Sequence, residues 1–405
     1  MPLSSRAIQE AARALGFDLA GVSAVGDFPE VAFFSDWIAQ GRAGDMRYLE
    51  ARNNAGDLKR AALKNTAPWA RSVVVCALNY NSAEPYSTEA TDPARGWISR
   101  YAWSQRDYHD VILEKLRCLE THIAALAEHE RQDFRSWCYV DTGPVVERVY
   151  AKYAGIGWIA KNTCIINQQL GSWLFLGVIL TSLPLTPDLP PPDRCGSCTR
   201  CLDACPTNAF PAPYQLDPTR CISYLTVEKR GPIAEDLRPG IGRNIFGCDI
   251  CQDVCPWNNK DQREGNLPPE NHAPGDSGSR DRSKGRGFSR AVTAPHHPGG
   301  SAPEVRTRPI STELALSPRP ELVNPPLDWL ASISADEFRE RFRGSPVKRA
   351  KLSGVRRNVV TAMGNSGRLE FIPRLQELAR DEDATVAEHA RWALRQLLQR
   401  QDLGK

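Results

Sequence analysis

Apolar residues in the first 190 positions follow two different periods. Near the N-terminus, four aliphatic residues recur at helical spacing with charged residues between them: Ile8, Ala11, Ala12 and Leu15. This spacing predicts an amphipathic helix. Three later runs have the composition of strands, namely Ser72–Leu78, Trp137–Val140 and Trp173–Leu183. Because helical patterns alternate with these runs, we predict an α/β layer architecture for residues 1–190, with no strand order implied.

The C-terminal part keeps only the helical period. From Arg356 to Leu398, small and aliphatic residues such as Val386 and Ala390 follow one helix face. This spacing is typical of a HEAT-type repeat helix, although an ordinary helical hairpin has the same period. We predict a helical, HEAT-like region over residues 311–405, which must pack on the rest of the chain because one or two repeats cannot form a solenoid.

Two segments of different composition lie between these regions. A proline-dense linker at 189–192 leads into a cysteine-rich module, which we place at residues 191–260. Residues 261–310 are rich in Pro, Gly, Ser, Arg and His and contain almost no aliphatic residues. Such a composition buries too little apolar surface to offset the entropy of ordering, so we predict a disordered loop there.

The cysteine spacing is the strongest chemical signal in the chain. Eight of the twelve cysteines occupy 61 residues in the pattern C-x2-C-x2-C-x3-C-P, a single cysteine, then C-x2-C-x3-C-P. In two-cluster ferredoxins the cysteine before proline ligates the other cluster. The same crossing predicts two 4Fe–4S clusters: Cys195, Cys198, Cys201 and Cys255 around the first, and Cys205, Cys221, Cys248 and Cys251 around the second.

Other uses of these cysteines are less favoured. Paired C-x2-C turns also build structural zinc sites, but those rarely have three cysteines spaced by two and a fourth followed by proline. A disulfide framework does not suit a chain of this length that lacks a secretory signal. The four isolated cysteines, Cys76, Cys118, Cys138 and Cys164, are interpreted as small core residues without chemistry.

Composition and charge argue against a membrane-spanning or exported protein. The 405 residues are 41% hydrophobic with a net charge of +3, and no apolar run is long enough to span a bilayer. The N-terminal helix pattern does not resemble an export signal, so we expect a soluble, cytoplasmic protein. Residues 341–360 carry seven Lys and Arg and no acidic residue, which suits either phosphate binding or a solvated helix face.

Asp141 is the candidate catalytic group outside the cysteine module. It follows the strand-like Cys138–Val140 and precedes a Gly-Pro turn, and in open α/β sheets catalytic groups lie at such strand ends. It could act as a general acid if burial raises its pKa, or it could cap the following helix. Tyr108 and His109 could line a site or begin a half-buried helix.

Several motifs together resemble those of the epoxyqueuosine reductase family. They are DTGPVVER at 141–148, GWIAKNT at 157–163, CGSCTRCLDACPTNAF at 195–210, CISYLTVEKRG at 221–231 and GCDICQDVCPWN at 247–258. The resemblance covers nearly the whole chain outside residues 261–310. Two departures are Ala160, where the family usually has glycine, and residues 101–109, which lack the glycine of the family's YA-x-G-x-DYH motif.

The resemblance implies a specific reaction. Electrons would pass through the two clusters to cobalamin in an N-terminal α/β cobalamin-binding domain, and reduced cobalt would act on the epoxide of epoxyqueuosine at the wobble position of tRNA. Asp141 matches the proposed proton donor, which must then be protonated when substrate is bound. Five further residues match positions that could contact the corrin or the substrate: Lys161, Asn162, Ser223, Lys229 and Arg230.

The resemblance also implies partners. The C-terminal helices would hold the anticodon stem-loop of tRNAs for tyrosine, histidine, asparagine and aspartate codons. An external donor such as a flavodoxin or ferredoxin would supply electrons to a monomer. Competing interpretations are a cobalamin-dependent reductive dehalogenase, a non-catalytic iron–sulfur electron carrier, and an iron–sulfur RNA-binding module without cobalamin.

Overall fold

The computed structural model describes residues 4–258 and 309–403. The predicted disordered loop at 261–310 lies outside these residues, except for its last two positions. Within the described ranges, no helix is both long and apolar enough to cross a membrane.

Within the part of the chain that the structure describes, eight strands form one central sheet and two small ribbons. The strands are β1 (Leu19–Ala24), β2 (Ser72–Asn79), β3 (Trp97–Ile98), β4 (Ser136–Tyr139), β5 (Trp158–Ile159), β6 (Ile165–Ile166), β7 (Leu174–Thr181) and β8 (Asn244–Phe246). The central sheet has the order β1-β2-β7-β4, and every neighbouring pair is antiparallel. The three predicted strand runs are therefore confirmed. The mixed α/β architecture is confirmed, and the strand order, which the sequence did not imply, is antiparallel in this sheet.

Fourteen helices accompany the strands in the described residues. They are α1 (Ser5–Ala14), α2 (Pro29–Ala32), α3 (Phe34–Ala39), α4 (Tyr108–His129), α5 (Glu147–Tyr153), α6 (Arg200–Asp203), α7 (Ile222–Val227), α8 (Arg238–Ile241), α9 (Ile250–Asp253), α10 (Leu327–Ser332), α11 (Ala335–Arg341), α12 (Lys351–Ser366), α13 (Ile372–Leu378) and α14 (Ala384–Leu403).

The central sheet is buried on both faces, as the continuous apolar run of β2 predicts. Alternate residues of a strand point to opposite sides. Val74 and Cys76 pack with α1 and α4, whereas Val73 and Val75 pack with α5. Strand β4 pairs with β7 and lies at the edge of the sheet, and its end leads directly into the Asp141 turn.

The C-terminal helices share one core with the middle of the chain. Helices α12 and α14 pack against each other, and their apolar residues join a cluster that also contains Trp97, Trp103 and Phe246. Strands β3 and β8 pair in parallel within this region. The predicted domain boundaries thus fall between parts that are extensively packed together, and the boundaries themselves stay a prediction.

Two buried polar residues attach α12 to the cysteine module. The Arg357 guanidinium donates to the carbonyls of Leu225, Lys229 and Gly231 at 2.7–2.9 Å. The Asn358 amide donates to the carbonyls of Thr226 and Ile245 at 2.8 and 2.7 Å. Since Arg357 is only 2% exposed, part of the basic stretch at 341–360 serves the fold and is not available to a phosphate.

Candidate active site and cluster module

The first predicted set of cysteines lies together. The Cys255 sulfur is within electrostatic reach of Cys195 and Cys201, and Cys201 is within reach of Cys195 and Cys198. Cys255 and Cys195 also pack in one apolar cluster with Trp158. The distant cysteine before Pro256 therefore reaches the first group of C-x2-C turns, as the ferredoxin-like crossing requires.

The second set is also grouped in space. Cys221 lies within reach of Cys205, Cys248 within reach of Cys221, and Cys251 within reach of both Cys248 and Cys221. Among the described residues, no three His, Cys, Asp or Glu side chains converge closely enough for a single metal ion. A cubane is wider than one ion, so grouped but separated thiols fit it. The role of each cysteine as a ligand stays a prediction.

Short helices explain how the local sequence builds these turns. Each C-x2-C-x3-C-P segment contains one turn of helix, α6 or α9, and these two helices contact each other. The turns close through backbone hydrogen bonds such as Cys198 N–H to Cys195 C=O at 3.1 Å. Pro206 and Pro256 follow the last cysteine of each segment, and a proline there disfavours further helix in the residue before it.

Lys161 and Asn162 are directed towards the cysteine module. The Lys161 Nζ donates to the carbonyls of Gly196 and Cys198 at 2.6 and 3.0 Å, and Asn162 Nδ2 donates to the Cys251 carbonyl at 3.1 Å. Both side chains thus hold the cysteine turns. A contact of either with cobalamin stays a prediction, and these hydrogen bonds do not favour it.

The other three predicted cofactor residues lie on or directly after α7. Ser223 is half-buried in the first turn of the helix. Lys229 Nζ pairs with Asp45 at 3.3 Å, and the Arg230 guanidinium donates to the Arg349 carbonyl at 2.9 Å. The structure therefore brings these residues close to the segment around Asp45 and to the C-terminal part, and their contact with a cofactor stays a prediction.

Asp141 meets two side chains from the start of α4. The Tyr108 hydroxyl donates to Asp141 Oδ2 at 3.2 Å, and His109 Nε2 lies 3.8 Å from the same oxygen. His109 Nδ1 lies 2.7 Å from Asp107 Oδ1. The imidazole therefore stands between two carboxyl groups. The sequence left open whether Tyr108 and His109 begin a helix or line a site. In the structure they begin α4 and contact Asp141, and their place in a functional site stays a prediction.

The charges in this group determine where the proton resides. Burial alone would lower the pKa of His109, but its hydrogen bond to Asp107 and its interactions with Asp141 outweigh that effect and raise the pKa to about 9. The same interaction with His109 lowers the pKa of Asp141 and prevails over burial, which raises it. At neutral pH the free protein thus holds a protonated His109 beside an ionised Asp141.

This result corrects the expected environment of Asp141. We expected burial to raise the pKa of the carboxyl group, whereas its contact with His109 lowers it. Its side chain is 71% exposed although many protein atoms surround it, which places the carboxyl on the floor of an open recess. Asp141 also does not cap α5, whose N-cap is Val146. The φ of Asp141 is 57°, in the left-handed region, which is a strained conformation often found at functional sites.

Residues from all three regions surround the recess. Tyr48, Glu228 and Arg349 lie within electrostatic reach of one another, and Arg349 pairs with Glu228. Arg349 and Tyr48 are also within reach of Asp141. A carboxyl group on the floor, phenols and charges on the walls and the cysteine module beside it would suit a large polar cofactor and an anionic substrate.

Glu147 is a titratable group that the sequence did not single out. Burial raises its pKa to about 7, and the charge of Asp141 adds to this effect. One of its carboxyl oxygens is buried and has no hydrogen-bond partner. It lies at the start of α5 within the DTGPVVER motif, so its position after Asp141 was the only available signal.

The fold and site together define a class of protein, an iron–sulfur oxidoreductase with an acid–base group beside its electron-transfer module. Two family models match the chain: "4Fe-4S double cluster binding domain" over residues 194–258 and "Epoxyqueuosine reductase QueG, DUF1730" over residues 60–142. The chain is 34% identical over 394 residues to an epoxyqueuosine reductase of Xanthomonas campestris, covering 96% of this chain and 95% of that protein. The chain belongs to the epoxyqueuosine reductase family.

Other relatives and solved structures agree with this assignment. An epoxyqueuosine reductase of Pseudomonas aeruginosa is 34% identical over 397 residues, covering 96% of this chain and 94% of that protein. A crystal structure of an epoxyqueuosine reductase with a modified tRNA-Tyr stem loop has a TM-score of 0.73 at 30% identity, covering 97% of this chain and 89% of the other. The enzyme from Streptococcus thermophilus has a TM-score of 0.74 at 26% identity, covering 97% and 90%.

Proposed function

We propose that this protein reduces the epoxide of epoxyqueuosine in tRNA to the alkene of queuosine, with Asp141 as the proton donor. Family membership makes it an oxidoreductase with two 4Fe–4S clusters and cobalamin as cofactors. The observation that carries the residue assignment is the contact of Asp141 with Tyr108 and His109 in an open recess beside the cysteine module.

The reaction needs both electrons and protons. Conversion of an epoxide to an alkene takes up two electrons and two protons and releases the oxygen as water. The cofactors, when bound, supply the electrons at low potential. The protein must therefore deliver protons to an oxygen that would otherwise leave as an alkoxide or hydroxide, and a positioned acid lowers that barrier by about 10²–10⁴-fold in rate.

His109 and Asp141 can provide the proton together. His109 holds it in the free protein, because its pKa is about 9. A substrate that fills the recess excludes water from Asp141 and favours its neutral form. The proton can then move from His109 Nε2 to Asp141 when their 3.8 Å separation shortens. The Tyr108 hydroxyl, which donates to the same oxygen, holds the carboxyl in place throughout.

The cofactor and tRNA surfaces follow from the same arrangement. Lys229 and Arg230 contact Asp45 and the Arg349 carbonyl, and together with Ser223 they are the candidates for contacts with cobalamin. Lys161 and Asn162 are engaged by the cysteine turns. For tRNA we propose that the C-terminal helices act as a HEAT-like unit for the anticodon stem-loop of the four tRNAs. Among the described residues, Arg343 and Lys351 are exposed and have no ion-pair partner, so their charges are available to phosphates.

The expected setting completes this proposal. A tRNA substrate indicates the cytoplasm, and a flavodoxin or ferredoxin would deliver the electrons to a monomeric enzyme. The location and the electron donor are expected from the substrate and cofactors, and the monomeric state is expected from the family resemblance.

One experiment tests the proposed function. The protein is purified without oxygen and supplied with cobalamin, iron content and electron paramagnetic resonance are recorded, and loss of epoxyqueuosine from a tRNA stem-loop is followed by mass spectrometry. We expect eight irons, a base-off cobalt(II) signal and turnover that falls at least about 100-fold in Asp141→Asn. The matched control is Asp110→Asn, an exposed carboxyl on the first turn of α4, which should retain turnover. Eight irons without cobalamin binding would instead favour an electron carrier or an RNA-binding module.

A further inference from the structure

The hairpin formed by β5 and β6 reaches from the N-terminal part into the first group of cysteines. At its tip the Lys161 backbone N–H lies close to the Cys195 sulfur and favours its thiolate form. The Lys161 side chain donates to the carbonyls of Gly196 and Cys198 at 2.6 and 3.0 Å. One residue therefore binds both ends of the first C-x2-C turn and places its ammonium group directly beside it.

A second residue of the hairpin approaches the same sulfur. Trp158 is 2% exposed, and its buried indole N–H has no hydrogen-bond partner among the described protein atoms. The Cys195 sulfur lies nearby and would be stabilised as a thiolate by this N–H. The ring is held against Trp257 in an edge-to-face contact with 5.0 Å between ring centroids, so the N–H is kept in this orientation. A buried indole N–H without a conventional acceptor is costly unless a thiolate or cluster sulfur accepts from it.

The two groups of cysteines differ in what this hairpin offers them. At the second group the same loop supplies the Asn162 amide, which donates to the Cys251 carbonyl at 3.1 Å, and the Cys164 thiol, which contacts the Cys251 sulfur. Neither the Asn162 amide nor the Cys164 thiol carries a positive charge. Within the described ranges no carboxylate pairs with Lys161. Asp193, which lies outside the hairpin and accepts from the Cys195 backbone N–H and the Tyr214 hydroxyl, acts on Cys195 in the opposite direction.

Reduction of a 4Fe–4S cluster adds one negative charge. Hydrogen bonds to the cysteine sulfurs and nearby positive charge stabilise the reduced form, and both raise the reduction potential. Burial strengthens such interactions because the local dielectric constant is low. The hairpin thus offers both N–H groups and a positive charge to the reduced form of the first cluster. It offers only uncharged groups to the second cluster.

We propose that Lys161 and Trp158 are positioning residues that raise the reduction potential of the first cluster relative to the second. This inference rests on the two-cluster assignment of the proposed function. It assigns GWIAKNT to cluster tuning, where the resemblance suggested a cofactor contact. It also gives Cys164, which was interpreted as a core residue without chemistry, a place against the second cluster.

A redox titration of the intact holoenzyme tests the proposal. Both clusters are titrated with dithionite and followed by electron paramagnetic resonance in the wild type, Lys161→Met and Trp158→Phe. At a fixed solution potential we expect Lys161→Met to raise the ratio of oxidised to reduced first cluster about tenfold. This corresponds to a midpoint potential lower by about 59 mV for a one-electron couple. Trp158→Phe keeps the aromatic packing and should shift the same cluster in the same direction by less. Lys161→Arg should restore most of the wild-type midpoint.

Matched controls and outcomes separate tuning from other roles. Lys115→Met removes a lysine that binds the Leu15 carbonyl, and Trp69→Phe removes another buried indole N–H without an acceptor, both outside the cysteine module. Neither should change a midpoint. Unchanged midpoints in the hairpin variants with eight irons, or equal shifts of both clusters, would overturn the proposal, as would weaker cobalamin binding without a midpoint shift. If Lys161→Met loses iron, the midpoint of the first cluster in Trp158→Phe tests the proposal instead, and an unchanged midpoint there would overturn it. A wild type without eight irons would refute the cluster assignment itself.

Discussion

Asp107→Asn tests whether His109 is the proton source of the active site. Asp107 Oδ1 lies 2.7 Å from His109 Nδ1, and Asp141 lies 3.8 Å from Nε2. Asparagine is as good an N-cap as aspartate, so the substitution should preserve the cap that Asp107 provides for α4. It removes the closer of the two charges that hold the pKa of His109 at about 9.

The size of the effect follows from the geometry. An opposite charge at this distance shifts a pKa by about 1–3 units, so we take a fall of about 1.5 units, to a pKa near 7.5. His109 would then be protonated in roughly 9% of molecules at pH 8.5, against roughly 75% in the wild type. At pH 6.5 His109 is almost fully protonated in both proteins. Turnover of the variant should therefore be about eightfold slower than wild type at pH 8.5 and nearly equal at pH 6.5.

The assay is the single-turnover rate of the reduced holoenzyme on an epoxyqueuosine-containing stem-loop between pH 6 and pH 10. The alkaline limb of the profile should move to lower pH in Asp107→Asn and stay in place in Asp110→Asn. An unmoved limb in Asp107→Asn, with normal iron and cobalamin content, would refute the proton route through His109. A rate lowered equally at every pH would indicate a structural role for Asp107.

Three other predictions concern the stability and reactivity of the chain. Asn358→Leu should lower the free energy of unfolding by about 2–4 kcal/mol, because it leaves the buried carbonyls of Thr226 and Ile245 without donors; denaturant unfolding measures this, and a change below about 0.5 kcal/mol would contradict it. Burial lowers the pKa of His389 to about 4. Its contribution to stability is therefore complete above pH 6.5 and falls as pH drops towards 4, by about 2 kcal/mol at pH 5, and a His389→Gln variant that keeps the same pH dependence would argue against this source. Cys118 is exposed and Cys76 is buried, so a maleimide should modify Cys118 in the native protein and leave Cys76 unmodified until unfolding, which mass spectrometry of peptides would show.

The cluster chemistry and several secondary-structure elements could be predicted from short stretches of sequence. The cysteine spacing indicated two clusters because a C-x2-C turn can place two thiolates on one small object whatever the rest of the chain does. The strand β2 and the helix α1 were predicted because their apolar residues follow the period of a single element. In each case the signal and the structure that it specifies lie within a few residues of each other.

Other properties depended on contacts between distant parts of the chain. Asp141 and His109 are 32 positions apart, and only the packing of α4 against the edge strand brings them together. That contact reverses the expected direction of the pKa of Asp141. The antiparallel order of the central sheet likewise depends on which strands pair, and composition alone does not specify pairing.

The basic stretch at 341–360 illustrates the same division. Sequence determined how many charges it carries, but tertiary structure decided their use: Arg357 is buried on carbonyls of the cysteine module, Arg349 pairs with Glu228, and Lys351 remains exposed. Lys161 was likewise recognisable as a functional cation, yet its partner is a cysteine turn. The physical reason is that residue type and local spacing fix which interactions a side chain can make, whereas long-range packing selects which partner lies within reach.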